Sequence, residues 1–320
     1  MSDDRPILIV DGLSLFVRHF VANPTMSSKG EPAGGVVGFL KGLQWVMNAV
    51  VPSQVIVVWE GGGSARKRKI FSEYKAKRRA QKLNRFYEDD IPNTVENRNW
   101  QIKSIVSLLR HVPVAQIYVE DCEADDVIGY LTKYRFSNEQ KVILSSDKDF
   151  YQLLDEKTRI YSPTSKNFVG MQDVIDRFNI HPRNFCTAKA LCGDPSDNVP
   201  GIKGVGFKSL AKRFPQLSSR EDVSVSDIVK EASERCSVKG PKIYQRIAEG
   251  EEIVRRNWKL MYLDTSMISA TQVKKVENAL DTFEPQRDKI SLLRKLVKEG
   301  LTTFDGERFF FTFNYVLRTN

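Results

Sequence analysis

Four short apolar runs, each closed by acidic residues, constrain what this chain can fold into more than any other feature. Ile7–Val10 is followed by Asp11, and Val55–Trp59 by Glu60. Val114–Val119 is followed by Glu123, Asp125 and Asp126, and Lys141–Leu144 by Asp147 and Asp149. Runs this short and this apolar read as strands buried on both faces, as in a parallel sheet. Segments with helical spacing lie between them. Gly34–Val51 carries Val37, Leu40, Leu43, Met47 and Val50; Asn99–Arg110 carries Ile102, Ile105, Val106 and Leu109; Asp125–Tyr134 follows the third run. Strand alternating with helix implies an α/β fold with a doubly wound, mainly parallel sheet. The carboxyl ends of such strands share the edge where these folds bind ligands. All four runs therefore deliver acid to one place.

The strand signal fades from about Ser196. Short basic helical stretches follow, such as Ser209–Phe214, Lys242–Glu249 and Lys289–Lys298. The chain thus divides into an α/β domain over residues 1–190 and a mainly helical domain over 191–320. Residues 80–98 are polar, highly charged and interrupted by Pro92, a composition that buries little surface, so a mobile segment is expected there. The aromatic stretch at 308–313 (R-F-F-F-T-F) reads as a buried element of the second domain, with partner docking as the alternative.

A single aspartate after a strand is often only a helix N-cap, and Asp149, Asp155 and Asp173 have that reading too. Acid at four strand ends is harder to assign to capping alone. So many carboxylates raise one another's pKa unless cations neutralise them. Oxygen ligands without His or Cys select Mg²⁺ or Mn²⁺. Two such ions about 4 Å apart hydrolyse phosphodiesters. Asp194 and Asp197, in G-D-P-S-D-N, are placed to close the site from the domain junction.

The formal net charge is +9, from 49 Lys and Arg against 40 Asp and Glu, a surplus that suits a polyanion. The cations crowd Arg66 to Arg85. No apolar run reaches membrane-spanning length and no charged-then-apolar leader opens the chain, so a cytoplasmic protein is expected. Four cysteines without CxxC spacing and three dispersed histidines argue against a zinc site or a disulfide framework.

Six stretches now combine: V-D-G-L-S-L-F-V-R at 10–18, S-S-K-G-E-P-A-G-G at 27–35, E-Y-K-A-K-R at 73–78, E-A-D-D-V-I-G at 123–129, S-S-D-K-D-F-Y-Q-L-L at 145–154 and G-D-P-S-D-N-V-P-G-I-K-G-V-G at 193–206. In this order they resemble the 5′-nuclease superfamily over roughly residues 7–215. That superfamily includes flap endonucleases, the N-terminal 5′-nuclease domain of bacterial DNA polymerase I, and bacteriophage 5′→3′ exonuclease and RNase H enzymes. R-R-N-W-K-L-M at 255–261 is similar to the phage members. The resemblance implies a PIN-like core and a two-metal site from Asp11, Glu123, Asp125, Asp126, Asp147, Asp149, Asp194 and Asp197. It also implies a phage-encoded enzyme that removes RNA primers or 5′ flaps during DNA replication. One position departs from the pattern, which has aspartate after the second strand where this chain has Glu60. Spacing to Tyr74, Lys75 and Arg78 fixes that assignment, and Glu60 joins the expected ligand set with a longer arm.

The basic stretch 66–79 then acquires roles. Lys75 is expected to contact the scissile phosphate and stabilise charge in the transition state, and Arg78 to do similar work. Tyr74 is expected to stack on a terminal base, with Lys67 and Arg79 as further DNA contacts. In the family this helix starts an arch through which single-stranded 5′ ends pass; here that arch is residues 80–98. The run V-P-G-I-K-G-V-G-F-K-S-L at 199–210 reads as a hairpin between two helices, the helix-hairpin-helix type of motif. Gly201, Gly204 and Gly206 let backbone approach a phosphate, with Lys203 and Lys208 alongside; the family often adds a potassium ion. Nothing reads bases, so recognition of structure is expected: free 5′ ends, flaps, nicks and RNA–DNA hybrids. A monomer is expected, with a single-stranded-DNA-binding protein or a sliding clamp as candidate partners. Alternatives are a metal nuclease acting on other junctions or RNA, and a catalytically weak DNA-binding protein.

Overall fold

The structure, a computed structural model, describes residues 4–77, 94–236 and 241–316. The first part of the chain runs β1 (Ile7–Asp11), α1 (Gly12–Phe20), α2 (Gly34–Val50), β2 (Gln54–Trp59), α3 (Ser64–Ile70), α4 (Thr94–Leu109), β3 (Ala115–Tyr118), α5 (Ala124–Tyr130), β4 (Lys141–Leu144), β5 (Thr158–Ser162) and β6 (Asn167–Val169). Helices follow: α6 (Met171–Phe178), α7 (Phe185–Cys192), α8 (Phe207–Arg213), α9 (Val225–Glu234), α10 (Lys242–Glu249), α11 (Glu251–Met261), α12 (Ala270–Asp281), α13 (Lys289–Lys298) and α14 (Gly306–Phe311).

The main sheet has the order β3-β2-β1-β4-β5-β6. All neighbours are parallel except β5 and β6. Chain order reverses around β1, with β2 and β3 on one side and β4 and β5 on the other. The crevice beyond β1 and β4 is therefore a topological switch point. Alternating side chains supply the two cores. Ile9, Ile56, Val58 and Ile143 pack under α5 and the helices from α7 to α12. Leu8, Val10, Val55 and Val57 face α1, α2, α4, α13 and α14. Both cores thus draw on residues from either side of position 190. Truncating a fully buried residue such as Ile9 to alanine should cost about 2–5 kcal/mol.

The structure adjusts three expectations. Residues 94–98, placed in the mobile segment, form the start of α4; the remainder of that segment, 80–93, lies outside the described residues. Polarity misled there because Asn97 is buried and bonded: its amide donates to the Pro32 carbonyl at 2.9 Å, and its oxygen accepts from Gln101 at 2.6 Å. Strands β5 and β6 were not anticipated. They sit at the sheet edge, and Arg159 and Phe168 are solvent-exposed, which breaks the continuous apolar signal of a central strand. Helix α5 is shorter than the expected 125–134, because the chain passes into a π-helical turn at Leu131–Arg135. In the aromatic stretch, Phe309 and Phe313 are fully buried. Among the described residues no helix is long and apolar enough to cross a membrane.

Candidate active site

Every expected acid of the first domain stands at or just beyond the carboxyl end of a strand. Asp11 closes β1 and caps α1: one oxygen accepts the Ser14 N–H at 3.0 Å, the other the Ser145 hydroxyl at 3.1 Å. Asp147 follows β4 and accepts the Asp149 N–H at 2.8 Å, capping the 3-10 turn Lys148–Leu153. Capping and site-building are done by the same side chains. Asp125 and Asp126 occupy the first turn of α5, where the partial positive end of a helix favours them.

These acids fall into two electrostatic classes. Asp11, Asp125 and Asp147 are in no ion pair among the described residues. Burial pushes the Asp11 carboxyl up to about 6, with Asp147 and Glu60 adding to the effect against the Ser14 and Ser145 hydrogen bonds. Burial, then Asp147 and Asp11, raises Asp125 well above the ordinary carboxylate range. Asp147 is also raised by burial, with Lys189 partly opposing.

The second class is held by lysines. Lys67 donates to Glu123 at 2.7 Å and to Asp126 at 3.1 Å, and Lys75 to Glu123 at 2.6 Å. Burial alone would raise Glu123, but Lys67 and Lys75 outweigh it and hold the carboxyl down at about 2. Lys189, on α7, contacts Asp149 and lies 2.6 Å from Asp194, which is held below the ordinary range. Asp197 accepts from the Tyr74 hydroxyl at 3.2 Å and lies 3.9 Å from the Lys75 ammonium. Lys75 itself has φ of 58°, a conformation costly for a side-chain-bearing residue; its N–H donates to the Asp197 carbonyl at 2.8 Å and so pins it.

Asp11, Glu60, Lys75, Asp125 and Asp147 line one cavity of about 360 Å³, together with Ser14 and Arg18. Among the described residues no group of three or more His, Cys, Asp or Glu side chains is already gathered closely enough to hold a metal ion. Of the nine expected ligands, Glu123, Asp126, Asp149, Asp194 and Asp197 have lysines within ion-pair distance, and backbone amides occupy Glu60. A hard cation fits the donor set through the remaining three, whose charge nothing else neutralises.

Two expected DNA contacts lie elsewhere. Lys67 is 3% exposed, buried against Glu123 and Asp126, whose charges raise its pKa despite the opposing effect of burial. Tyr74 is also 3% exposed, with its hydroxyl 3.1 Å from Glu123, so its ring offers no surface for a base. Arg78 and Arg79 lie outside the described residues. Lys189 was missed: a lone lysine in the apolar stretch F-C-T-A-K-A-L-C needs a buried partner, and that need was the available signal.

In the 199–210 hairpin the glycines do different work. A Cβ on Gly201 would lie 2.2 Å from the Cys192 carbonyl, so this residue is small for packing against the end of α7. Gly204 is left-handed, with φ of 79°. A Cβ on Gly206 would meet nothing within 4 Å. Lys203 and Lys208 are exposed.

Residues 6–179 match the family described as 5′-3′ exonuclease, N-terminal resolvase-like domain. The 5′-3′ exonuclease of Aquifex aeolicus is 31% identical over 221 residues, covering 68% of this chain and 72% of that protein. DNA polymerase I of Pseudomonas aeruginosa is 28% identical over 295 residues, covering 91% of this chain but 30% of that protein. Among solved structures, the bacteriophage T5 flap endonuclease in a pseudo-enzyme-product complex with DNA and metal ions shares the fold. Its TM-score is 0.69 at 21% identity, over 87% of this chain and 98% of that one. A mainly parallel sheet followed by helices is thus the shared architecture, and the chain belongs to the 5′-3′ exonuclease family.

Proposed function

We propose that this chain is a divalent-metal-dependent 5′ nuclease that hydrolyses phosphodiesters at free 5′ ends and flaps of DNA, including RNA–DNA hybrids, by a two-metal mechanism. The carrying observation is the uncompensated trio Asp11, Asp125 and Asp147, which shares one cavity with Lys75. These three would hold the metal, with Glu123, Asp126, Asp149, Asp194 and Asp197 around them. Bound there, Mg²⁺ or Mn²⁺ supplies Lewis acidity and an activated water.

The chain's own residues do the rest. The Lys75 ammonium, positioned by Glu123 and by its bond to the Asp197 carbonyl, meets the charge that grows on the scissile phosphate. Lys189 fixes the Asp149 and Asp194 carboxylates and so sets the far wall. The hairpin 199–210 is the reading's duplex anchor, with Lys203 and Lys208 as phosphate cations and a potassium ion as a further ligand. The open space at Gly206 supports close approach of a phosphate there. Removal of RNA primers and 5′ flaps in replication is the corresponding role; the names of the relatives, 5′-3′ exonuclease and DNA polymerase I, support it.

The test is incubation with labelled 5′-flap, nicked and RNA-primed duplexes, with and without Mg²⁺. Mg²⁺-dependent release of products from the 5′ side is expected. Full activity in EDTA removes the metal from the mechanism. DNA binding without cleavage in Mg²⁺ leaves a structure-specific binding protein.

A further inference from the structure

The loops that carry the acids are joined by more than the sheet. The Gly61 N–H donates to the Cys122 carbonyl at 3.1 Å, and the Asp121 N–H donates to the Gly61 carbonyl at 3.0 Å. A Cβ on Gly61 would lie 1.7 Å from the Val119 carbonyl oxygen, and one on Gly63 2.3 Å from the Cys122 backbone. The turn after β2 therefore lies backbone against backbone on the turn that leads into α5.

Helix α5 begins without help from its own N-cap residue. Glu123 holds that position in an extended conformation but makes no side-chain capping bond. Its carboxylate is turned away and taken by Lys67, Lys75 and Tyr74. The first amide of the helix, Ala124 N–H, is instead bonded at 3.2 Å to one oxygen of Glu60. The other Glu60 oxygen accepts the Gly62 N–H at 3.1 Å. A helix start leaves such amides without intrahelical partners, and here the partner comes from a different strand end.

We infer that Glu60 is a positioning residue that caps α5 from outside and so frees Glu123 for the two lysines. Glu60 thereby fixes the first turn of α5, which carries Asp125 and Asp126. The longer glutamate arm is what spans from the end of β2 to Ala124 while still engaging Gly62; aspartate is one methylene shorter. Glutamine keeps the length and one acceptor oxygen. Length therefore matters more than charge at this position, the opposite of what a metal ligand requires.

The experiment has two arms, of which only the second rests on the nuclease reading. In the first, amide hydrogen exchange is followed in EDTA for the parent, Glu60→Asp and Glu60→Gln. Exchange at Ala124 should quicken ~2- to 30-fold in Glu60→Asp, the scale of a lost helix cap, and less in Glu60→Gln. Amides of residues 7–11 serve as the control for intact folding. Unchanged Ala124 exchange in Glu60→Asp overturns the inference. In the second, flap cleavage should rank parent, then Glu60→Gln, then Glu60→Asp, with kcat falling and KM held. Glu60→Asp cleaving as well as or better than Glu60→Gln overturns the inference and assigns Glu60 to the metal by its charge. If the parent itself does not cleave, the nuclease reading fails and the exchange arm decides alone.

Discussion

Two groups of carboxylates share the carboxyl edge of this sheet, and they differ in what neutralises them. Glu123, Asp126, Asp149, Asp194 and Asp197 have lysines within ion-pair distance, supplied by α3, by the turn after it and by α7. Asp11, Asp125 and Asp147 have hydrogen bonds or a place at a helix start, but no ion pair among the described residues. Burial is costly for a carboxylate in either group. The protein supplies cations to five acids and withholds them from three neighbours, and on the function proposed above these three are left for an outside cation. The paired acids make a rigid frame; the unpaired ones make a seat.

The strongest way to break this contrast is to neutralise the seat. Asp125→Asn and Asp147→Asn should each lower cleavage of a 5′-flap substrate by on the order of 10³-fold or more, as for residues that act as one unit. Affinity for the substrate in Ca²⁺ or EDTA should hold, because cations and backbone amides carry binding. Retention of parental turnover in either variant would show that the seat is structural only.

The two lysines on Glu123 sharpen the contrast next. Lys75 lines the cavity, so Lys75→Ala should cut kcat by ~10²–10³-fold, the loss of one preorganised transition-state contact, with a much smaller change in affinity. Lys67 is sealed between Glu123 and Asp126. Lys67→Met strands Asp126, leaves Glu123 to Lys75 and Tyr74, and should destabilise the fold by about 3 kcal/mol, read from urea unfolding. If the Lys67 variant unfolds like the parent while the Lys75 variant unfolds early, the roles are exchanged.

The seat was legible in the sequence and the frame was not. Asp11, Asp125 and Asp147 follow apolar runs whose length and composition demand buried parallel strands, and topology then sends their ends to one edge. The Lys67 and Tyr74 side chains read as DNA contacts because they stand in a run of cations, two of which, Arg68 and Lys69, are exposed. Periodicity in a seven-residue helix such as α3 is too short to show which cation turns inward. Lys189 carried no positional cue except its apolar neighbours. The cap on α5 joins residues 60 and 124, a pairing that exists only once β2 and β3 are side by side. The expected two-domain division followed the loss of strand signal at 196. In the structure, α13 and α14 return across that boundary to pack on the same sheet face as α1 and α2.

The smallest effect is the one that reads the two groups against each other without a substrate, through pH in the metal-free protein. Asp11 rises from an ordinary 3.8 to about 6 on folding, so the folded state prefers its protonated form. Its favourable contribution is fully present below pH 3.8 and is lost as pH rises through 6. Glu123 falls from 4.5 to about 2, so its contribution is present above 4.5 and is lost as pH falls through 2. Between about pH 4.5 and 6, therefore, the Glu123 contribution is already complete and the Asp11 penalty is still growing. The Asp11 displacement corresponds to about 3 kcal/mol. Asp11→Asn removes that penalty but leaves one oxygen to serve both Ser14 and Ser145, an offset of about 1 kcal/mol. In EDTA, Asp11→Asn should exceed the parent by about 2 kcal/mol at pH 7 and fall about 1 kcal/mol below it at pH 3.5, where only the offset remains. Urea unfolding at those two pH values measures it. Adding Mg²⁺ to the parent should recover a similar amount, ~2.7 kcal/mol at a hundredfold excess over the dissociation constant, and should do so far less in Asp11→Asn. Parallel pH curves for parent and variant would mean that Asp11 is neutralised by something inside the protein, and the distinction between frame and seat would not hold at its central residue.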